Sequence, residues 1–492
     1  MTRMNLHLKA SATHRITVFM VAAGIVLAGC GGGGTPTPTT APQAQVTDTP
    51  ATGMASETPT QPVAGTPAGT PLTGGVTGET EGPRLNRDVS GTIEMWHFWS
   101  SPLRRNAIRR VIGICGQELP NIKVNETAKP FGDIWTANTA AVAAQSGMPD
   151  VIVSDRPKLP ADAANNIYTD LQSWADRDGV NPDDFWPFTW KQTLYQGHTY
   201  GIPFETDVRV LYYNKSIFKE VGLDPEKPPK TWAELEQYAD KLDKKNPDGT
   251  WARIGFFPLQ GNVSPEIWGY ANDVQWITPD GKPEINTPRA VETLEWVKKW
   301  VDRYGGWDKV QEFRATFQSP PNDAFMSGKV AMVVDINGYA SQLNFFNPQY
   351  TAPDGKKSRL EWGVSDMPYN TKQASWSGGF ALSIPRGAKN AEAAWEFIKC
   401  ATGVKGAASW SRDTYAMSAN IKAARDPQLM ADPVWQFFLQ AMEYSTGGNY
   451  LEKYPNWGEQ LSQRYEKVWR GELSAQQALQ EAQAAVEAEI NK

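Results

Sequence analysis

The stretch that decides the fold is Thr92–Val153, TIEMWHFWSSPLRRNAIRRVIGICGQELPNIKVNETAKPFGDIWTANTAAVAAQSGMPDVIV. Short apolar runs alternate in it with longer segments whose apolar residues recur at helical spacing, so it predicts strands and helices in turn. Its last run, DVIV, is continuous and apolar, as is typical of a strand buried in a parallel sheet. The order β-α-β-α-β predicts an open α/β sheet. The predicted strands are Thr92–Phe98, Asn121–Thr127 and Asp150–Val153, and the predicted helices are Asn106–Leu119 and Ile134–Gln145.

Later segments repeat this alternation. Thr231 with Glu234, and Ser474 with Gln477, have the spacing of capping boxes, and each pair precedes a segment with apolar residues on one helical face. The folded part therefore continues as α/β. Further strands are predicted at Arg209–Asn214, Val330–Val334 and Phe380–Ile384, and a further helix at Ala391–Cys400.

The N-terminal residues have the pattern of a targeting segment. Arg3, Lys9 and Arg15 precede the apolar run Ile16–Ala28, and small residues follow up to Cys30. This order predicts a secretory signal peptide over residues 1–29. The alternative is an N-terminal transmembrane anchor, which the length disfavours, because a spanning helix needs about 20 apolar residues.

Residues 30–87 are rich in Thr, Pro and Gly and nearly free of large apolar side chains. Such a segment cannot bury enough surface to offset its ordering entropy, so we expect a flexible tether. Whether it is O-glycosylated stays open. Two cysteines, Cys115 and Cys400, remain in the folded part and meet an oxidising compartment after export. They form either a disulfide or two buried free thiols. We expect the free thiols, because buried free cysteine is common.

Composition and motifs exclude several classes of function. The formal charge of −6 argues against nucleic acid as a partner, because phosphate binding needs a basic surface. The sequence has no nucleotide-binding, serine-hydrolase or zinc-protease motif. His97 and His198 lie far apart in the chain, so we expect no metal site and no cofactor. A glycosidase with paired carboxylates stays open as a rival.

The chain is notable for its aromatic residues, which include 20 Trp. We expect more than half of the tryptophans that adjoin loop residues to be core. Trp376 is less typical of a core residue, because small residues flank it in the segment Ser375-Trp376-Ser377-Gly378-Gly379. A flat ring with a polar edge suits the C–H faces of a sugar.

Several longer motifs carry a resemblance to a known family. They are YGIPFETDVRVLYYNK at Tyr200–Lys215, FMSGKVAMVVDINGY at Phe325–Tyr339, SWSGGFALSIPRGAKNAEAAWEFI at Ser375–Ile398 and LSAQQALQEAQAAVEAEI at Leu473–Ile490. In order and spacing they resemble the sugar-binding group of bacterial extracellular solute-binding proteins, which includes maltose-binding protein. The motif LAGC is similar to the lipobox of bacterial lipoproteins, which implies that Cys30 is the lipidated N-terminus of the mature protein.

The resemblance implies two α/β lobes with a ligand cleft between them and hinge closure around the ligand. Lobe one would comprise residues 88–206 and 377–440, and lobe two residues 207–376 and 441–492. The crossings between lobes would lie near Glu205–Asp207, Ser375–Gly379 and Phe437–Glu443.

The resemblance also implies a function without catalysis. The chain would be a monomeric, lipid-anchored sugar- or oligosaccharide-binding protein on the extracytoplasmic face of the membrane, delivering its ligand to an ABC permease with its ATPase. The alternatives are a tethered glycosidase, or a binding protein for a non-sugar solute such as a glycerol-phosphate ester, peptide or polyamine. The implied ligand contacts are Trp96, Trp99, Ser154, Asp155, Glu205, Asp207, Tyr339, Trp376, Gly378 and Trp457.

Overall fold

The computed structural model describes residues 82–449, 451 and 453–492. The predicted signal peptide, Cys30 and almost all of the predicted tether lie outside the described residues. Ordered contacts begin before residue 88, because the Arg84 amide donates to the Asp178 carbonyl at 3.0 Å and the Asn86 amide donates to Glu396 Oε2 at 2.8 Å. Residues 84–87, the last of the segment assigned to the tether, therefore already contact the folded part.

Strands and helices alternate along the described chain. The strands are β1 (Gly91–His97), β2 (Ile122–Ala128), β3 (Val151–Asp155), β4 (Leu194–Tyr195), β5 (His198–Thr199), β6 (Ile202–Thr206), β7 (Arg209–Asn214), β8 (Lys244–Lys245), β9 (Trp251–Gly261), β10 (Val330–Ile336), β11 (Gln349–Thr351), β12 (Lys357–Arg359), β13 (Trp362–Asp366), β14 (Ser375–Trp376), β15 (Gly379–Ser383), β16 (Met417–Ser418) and β17 (Ser445–Thr446).

The α-helices are α1 (Pro102–Glu118), α2 (Asp133–Ala143), α3 (Leu159–Ala164), α4 (Gln172–Asp178), α5 (Pro187–Lys191), α6 (Lys215–Glu220), α7 (Trp232–Leu242), α8 (Pro265–Ala271), α9 (Pro288–Arg303), α10 (Trp307–Arg314), α11 (Tyr339–Phe346), α12 (Ala391–Thr402), α13 (Val404–Thr414), α14 (Ile421–Ala424), α15 (Pro427–Met430), α16 (Pro433–Ala441), α17 (Gly458–Trp469) and α18 (Ala475–Ile490). Short 3₁₀ turns occupy Arg156–Lys158, Pro182–Asp184 and Met442–Tyr444.

Two main sheets organise these elements. The first has six strands in the order β16-β6-β15-β3-β1-β2, and the second has five in the order β13-β7-β10-β9-β8. In the first, β1 pairs in parallel with β2 and β3, whereas β15 runs antiparallel to β3 and β6. We call the first sheet with its helices lobe one and the second sheet with its helices lobe two. The predicted α/β class is confirmed.

Local sequence signals account for the helix starts. Thr231 and Ser474 both form the predicted capping boxes, with Glu234 and Gln477 reaching back to the capping residues. Helix α1 begins at Pro102 rather than at the predicted Asn106, because Ser101 caps it and proline is favoured in the first helical turn.

The apolar interior forms three main clusters. One fills lobe two and another fills lobe one. The third lies between the two sheets, where Tyr212 of β7 and Leu343 of α11 share a cluster with Met417 of β16 and with Trp435 and Phe438 of α16. The lobes are therefore packed together on one side by side chains that both contribute.

The expectation of two free thiols is wrong. Cys115, near the end of α1, and Cys400, near the end of α12, form a disulfide with 5.8 Å between their Cα atoms. Both side chains are buried in the lobe-one cluster, where α1 packs on α12. The sequence placed both residues near helix ends but could not give the relative helix registers that decide whether two thiols meet.

Candidate functional site

The chain passes between the lobes at three points, and these points lie side by side. Strand β6 of lobe one ends at Thr206 and β7 of lobe two begins at Arg209. Strand β14 (Ser375–Trp376) leads back to lobe one and pairs in parallel with β17 (Ser445–Thr446). The third crossing runs through β17, which follows α16 and the 3₁₀ turn Met442–Tyr444, next to the predicted Phe437–Glu443.

The glycines of the SWSGG motif allow close approach of two crossings. Gly379 has a φ of 122°, and a Cβ at this position would lie 2.3 Å from the Glu205 carbonyl oxygen. Only glycine tolerates both conditions. A Cβ on Gly378 would lie 2.7 Å from the Trp376 ring. The small residues that marked this motif are thus required by backbone packing beside the tryptophan.

The guanidinium of Arg209 organises the lobe-two side of the crossings. It donates to Asp207 Oδ1, to the Trp376 carbonyl at 3.3 Å, and to the carbonyl and side-chain oxygens of Asn262 at 3.1 and 2.8 Å. It also lies 4.4 Å from the centre of the Trp376 ring. Asp207 in turn accepts from the Gly378 amide at 2.9 Å. Burial lowers the pKa of Arg209, and Asp207 partly offsets this effect.

Arg156 makes a corresponding set of hydrogen bonds on the lobe-one side of the crossings. Its fully buried guanidinium donates to Gln192 Oε1 at 2.5 Å, to Thr206 Oγ1 at 3.1 Å and to the Gly378 carbonyl. Burial lowers its pKa to about 10. Two arginines therefore hold the crossings in place through charge-assisted hydrogen bonds.

A cavity of about 700 Å³ lies between the lobes beside these crossings. Such a volume is within the ~300–1,000 Å³ of ordinary small-molecule sites. The residues of lobe one that line the cavity are Pro157, Lys158, Pro160, Lys191 and Gln192. The crossings and lobe two contribute Arg209, Leu259, Asn262, Val263, Ser264, Pro265, Glu266, Ile267, Tyr270, Trp376, Gly447, Gly448, Asn449, Pro455, Asn456, Trp457, Gly458, Glu459, Ser462, Tyr465 and Trp469.

Aromatic rings form much of the cavity wall. Trp376 is half-buried at the second crossing, with the Arg209 guanidinium against its ring. Trp457 stands just before α17, and its ring centre is 6.3 Å from that of the buried Trp276. Tyr270 of α8 approaches the third crossing so closely that a Cβ on Gly448 would lie 2.3 Å from its hydroxyl.

Polar groups stand among the rings. Burial raises the pKa of Glu266, which lies beside the hydroxyls of Ser264 and Tyr465. Burial and the nearby Glu266 raise the pKa of Tyr270, so this phenol keeps its proton and can donate. Lys191 Nζ donates to Asn449 Oδ1 at 2.9 Å across the lobes. The cavity thus offers donors and acceptors around apolar faces.

Four of the predicted residues lie at this site. Trp376 and Trp457 line the cavity. Asp207 and Gly378 belong to the hydrogen-bonded crossings directly behind it.

The other predicted residues make contacts elsewhere. Ser154 is buried and bonds to the Ala381 carbonyl at 3.2 Å and to Ser383 Oγ at 2.8 Å. Glu205 is buried and accepts from Trp410 Nε1 at 2.6 Å, and burial raises its pKa.

Three predicted aromatics also take structural positions. Trp99 is 1% exposed, and its ring centre is 4.3 Å from that of Trp410. Tyr339 is 7% exposed and donates to Asp323 Oδ2 at 2.8 Å, so its ring lies in the interlobe cluster. Trp96 is half-buried under Lys129 Nζ, which is 3.9 Å from its ring centre.

Asp155, the last predicted residue, ends β3 and is half-buried. Its pKa is raised to about 6, chiefly by burial and also by Asp207, while Lys158 and Arg156 lower it in part. It lies on lobe one directly before the cavity residues Pro157 and Lys158.

Several cavity residues had no clear sequence signal. Asn262, Glu266 and Tyr270 come from the end of β9 and from α8, which begins at a Ser264-Pro265 pair that marks a helix start but not a site. Gln192 lies in lobe one and lines the cavity, with its amide held by hydrogen bonds to Arg156 and to the Gly447 carbonyl.

Two structural searches of the described residues were negative. In residues 82–449, 451 and 453–492, no cluster of three or more His, Cys, Asp or Glu side chains could hold a metal ion. Over the same residues, none of the helices combines the length and apolar character that a membrane span requires.

Comparisons with known proteins agree with this architecture. The family model described as a bacterial extracellular solute-binding protein matches residues 114–436. The sn-glycerol-3-phosphate-binding periplasmic protein UgpB of Shigella dysenteriae serotype 1 is 26% identical over 312 residues, which cover 58% of this chain and 66% of that protein. The match thus spans just under two thirds of the relative's length.

Solved structures match over a larger share. CpMnBP1 with mannotriose bound superposes with a TM-score of 0.70 at 26% identity, covering 80% of this chain and 99% of that one. An ABC transporter solute-binding protein from Thermotoga lettingae bound with α-D-tagatose gives a TM-score of 0.67 at 23% identity, covering 82% and 100%. At 23% identity, the similarity to the tagatose-bound structure supports the fold and says nothing about the ligand of this chain. Together these structures confirm that the chain has the two-lobed fold of extracellular solute-binding proteins.

Proposed function

Since the chain belongs to the bacterial extracellular solute-binding proteins, we propose that it captures a neutral oligosaccharide in the interlobe cavity for an ABC importer. The single observation that carries the sugar assignment is the lining of this cavity. Rings from the crossings and lobe two stand there with hydroxyl, amide and carboxylate groups. Aromatic faces complement the C–H faces of sugars, and the polar groups suit their hydroxyls.

The charges of the cavity favour a neutral sugar over a phosphate ester. A glycerol-phosphate ester is the alternative suggested by the name of the UgpB relatives and by Lys158 and Lys191 in the wall. A phosphate dianion needs cations free to pair with it. Lys191 already donates to Asn449 Oδ1 at 2.9 Å, Arg209 is paired with Asp207, and Glu266 adds a carboxylate to the same wall, which leaves Lys158 against that carboxylate. This arrangement supports hydroxyl recognition.

The crossings supply the mechanism of capture. Lobe one and lobe two both contribute walls, so a ligand that contacts both favours the closed arrangement of the hinge. The Gln192 amide donates to the Gly447 carbonyl at 3.1 Å and joins lobe one to the third crossing. Binding and closure would then be a single event in which the protein makes or breaks no bond of the sugar.

The cellular setting is also a proposal. The family is extracellular, which supports a position outside the cytoplasm. We propose that lipid on Cys30 and the tether hold a monomeric binding domain near the membrane, where it meets its permease and ATPase. Replacing Cys30 by Ser should release the protein from membranes or leave it unprocessed, and normal membrane retention would contradict the anchor.

Calorimetry with purified protein tests the ligand class. Manno- and malto-oligosaccharides should bind at one per chain and be recovered unchanged, whereas glycerol 3-phosphate should neither bind nor compete. Turnover of the sugar would support a glycosidase instead. Binding of glycerol 3-phosphate alone would replace the sugar with the ester.

A further inference from the structure

Two phenylalanines at the end of α11 present an apolar surface to solvent. Phe345 is 62% exposed and Phe346 is 37% exposed, and their ring centres lie 5.0 Å apart. Leu343, on the same helix, is fully buried in the interlobe cluster. Phe345 follows it by two residues, which is about 200° around the helix, so its ring projects away from the protein. Adjacent large apolar side chains that contribute little to the core indicate an interaction surface.

The hairpin of β11 and β12 follows this pair and presents two basic side chains. Tyr350 of β11 faces the protein, because its hydroxyl donates to Glu220 Oε2 at 2.8 Å. Side chains alternate along a strand, so its neighbours in β11 face outward, as do the residues opposite them in β12, Lys357 and Arg359. Both of these basic residues are exposed. The outer face of the hairpin is therefore basic.

The hairpin and the aromatic pair belong to one stretch of surface. Gln349 begins β11 three residues after Phe346, which is at most about 11 Å of extended chain. Arg359 lies directly opposite Gln349 in the strand pairing. The Leu360 amide donates to the Pro348 carbonyl at 2.8 Å, which fixes the hairpin to the segment after α11. We call Phe345, Phe346, Lys357 and Arg359 the lobe-two patch.

The two cations of the lobe-two patch are not neutralised by the protein. The acids of this segment already have partners, since Asp354 pairs with Lys356 Nζ at 3.5 Å and Glu361 pairs with Lys219 Nζ at 2.7 Å. Among the residues that the structure describes, no carboxylate forms an ion pair with either cation of the patch. The patch therefore combines exposed rings with two unpaired positive charges.

This combination is complementary to the surface of an anionic bilayer. Apolar rings enter the boundary between headgroups and acyl chains, while basic side chains are attracted to anionic headgroups. A protein partner fits less well. Two phenyl rings bury at most about 500 Å², whereas each partner of a standard protein interface buries about 800 Å², and the centres of such interfaces are depleted in lysine.

We propose that the lobe-two patch is a contact surface for an anionic phospholipid bilayer. The rings insert at the interface and the two cations bind headgroups, so lobe two is held against the bilayer. None of the four patch residues lines the interlobe cavity. The inference therefore does not depend on the sugar assignment. It concerns how the protein is oriented at a membrane, whereas the proposed lipid on Cys30 concerns how it is anchored.

Sedimentation with lipid vesicles tests the contact. The protein is the mature chain, residues 30–492 with Cys30→Ser, so that no acyl group contributes to binding. One set of vesicles contains only phosphatidylcholine, and the other contains about one third phosphatidylglycerol, which is anionic. The chain should sediment with the anionic vesicles at about 0.1 M salt. It should be released at about 1 M salt, because the Debye length falls from about 10 Å to about 3 Å.

Two variants remove the two components of the patch. Phe345→Ala should lower the partition coefficient for anionic vesicles about tenfold, because a buried phenyl ring is lost. Lys357→Gln with Arg359→Gln should lower it about thirtyfold, because two attractions to the anionic surface are lost. In both variants the melting temperature and the sugar affinity should equal those of the unaltered chain, because these side chains are exposed and lie outside the cavity.

Matched control variants lie elsewhere on the surface. Phe131→Ala removes a ring that is 66% exposed on lobe one. Lys282→Gln with Lys492→Gln removes two exposed positive charges of lobe two that are paired with carboxylates. Both controls should bind the anionic vesicles within about twofold of the unaltered chain, because distant charges are screened by salt.

Three results would overturn the inference. They are failure of the chain to bind anionic vesicles, equal binding to phosphatidylcholine alone, and equal losses in the controls and in the patch variants. Normal vesicle binding by the patch variants together with impaired sugar uptake in cells would assign the surface to a protein partner instead. None of these results would alter the proposed capture of sugar, which depends on the cavity.

Discussion

Two groups of tryptophans occupy opposite kinds of position in this molecule. The cavity pair, Trp376 and Trp457, comprises the two half-buried tryptophans among the three that line the space between the lobes. The core tryptophans fill lobe two, where at most 7% of any one is exposed and two of the rings stack at 3.9 Å. The core tryptophans are Trp232, Trp268, Trp276, Trp296, Trp300 and Trp469.

The contrast shows which sequence signal separates a cavity-lining tryptophan from a core tryptophan. Trp296 and Trp300 recur one helical turn apart on α9, as core residues do. Trp376 has small neighbours, and the structure shows that those glycines admit a second crossing beside the ring. Trp268 also has a glycine neighbour, yet it is fully buried and donates to the Pro258 carbonyl at 2.6 Å. Helical spacing therefore discriminates better than neighbouring residue types.

The largest effect is expected from a core tryptophan. Trp268→Ala should lower the free energy of unfolding by about 3–5 kcal/mol, because it leaves a cavity and an unpaired carbonyl. The sugar affinity of the protein that remains folded should stay within twofold. Guanidinium unfolding and calorimetry at low temperature measure the two quantities. A loss of affinity with normal stability would show that the groups do not differ as argued.

The disulfide should behave like a core tryptophan. Replacing both Cys115 and Cys400 by Ala should lower the free energy of unfolding by about 2–5 kcal/mol, because a long loop is no longer closed in the unfolded chain. Sugar affinity should not change. Thiol titration of the denatured, unreduced protein should find neither thiol free. Two free thiols from these positions would contradict the bridge.

The sequence predicted the sheets better than the site. Strand and helix periodicity gave β1 to β3 within two residues, and both capping boxes form. These elements depend on interactions within a few residues. The cavity depends on contacts between distant segments, such as Gln192 with Gly447, and no local pattern encodes them. Tyr339 illustrates the limit, because its loop leads towards the crossings while its ring packs between the lobes.

The cavity tryptophan should show the reverse of the core result. Trp376→Ala should weaken sugar binding about thirtyfold, or roughly 2 kcal/mol, as a central aromatic contact does. The ligand-free melting temperature should fall only slightly, because the ring is half-buried and lies against the Arg209 guanidinium at the edge of the lobe-two cluster. Trp376→Phe, which retains a ring, should recover part of the affinity. A large melting loss would place Trp376 with the core group, and unaltered affinity would remove it from the site.

The smallest expected effect is the pH dependence that the Asp155 carboxyl gives to stability and to sugar affinity. Burial raises the pKa of Asp155 to about 6, so its carboxylate takes up a proton in the folded state at a pH where the unfolded chain does not. In the ligand-free protein, the contribution of Asp155 to the free energy of unfolding is therefore most favourable below about pH 4. This contribution becomes less favourable as the pH rises towards 6.

The affinity for sugar should depend on pH in the opposite direction, so that it increases as the pH rises. Hydroxyls donate better to the ionised carboxylate, so affinity should be full above pH 6 and fall about fivefold as pH drops below it, the difference between a charged and a neutral acceptor. Asp155→Asn should flatten this profile. Asp162 is a matched control, because burial also raises its pKa to about 6 and it lies close enough for Asp155 to affect its ionisation. Asp162→Asn should leave the binding profile unchanged. If calorimetry from pH 5 to 8 shows the slope lost in Asp162→Asn and retained in Asp155→Asn, the acceptor has been assigned to the wrong carboxylate.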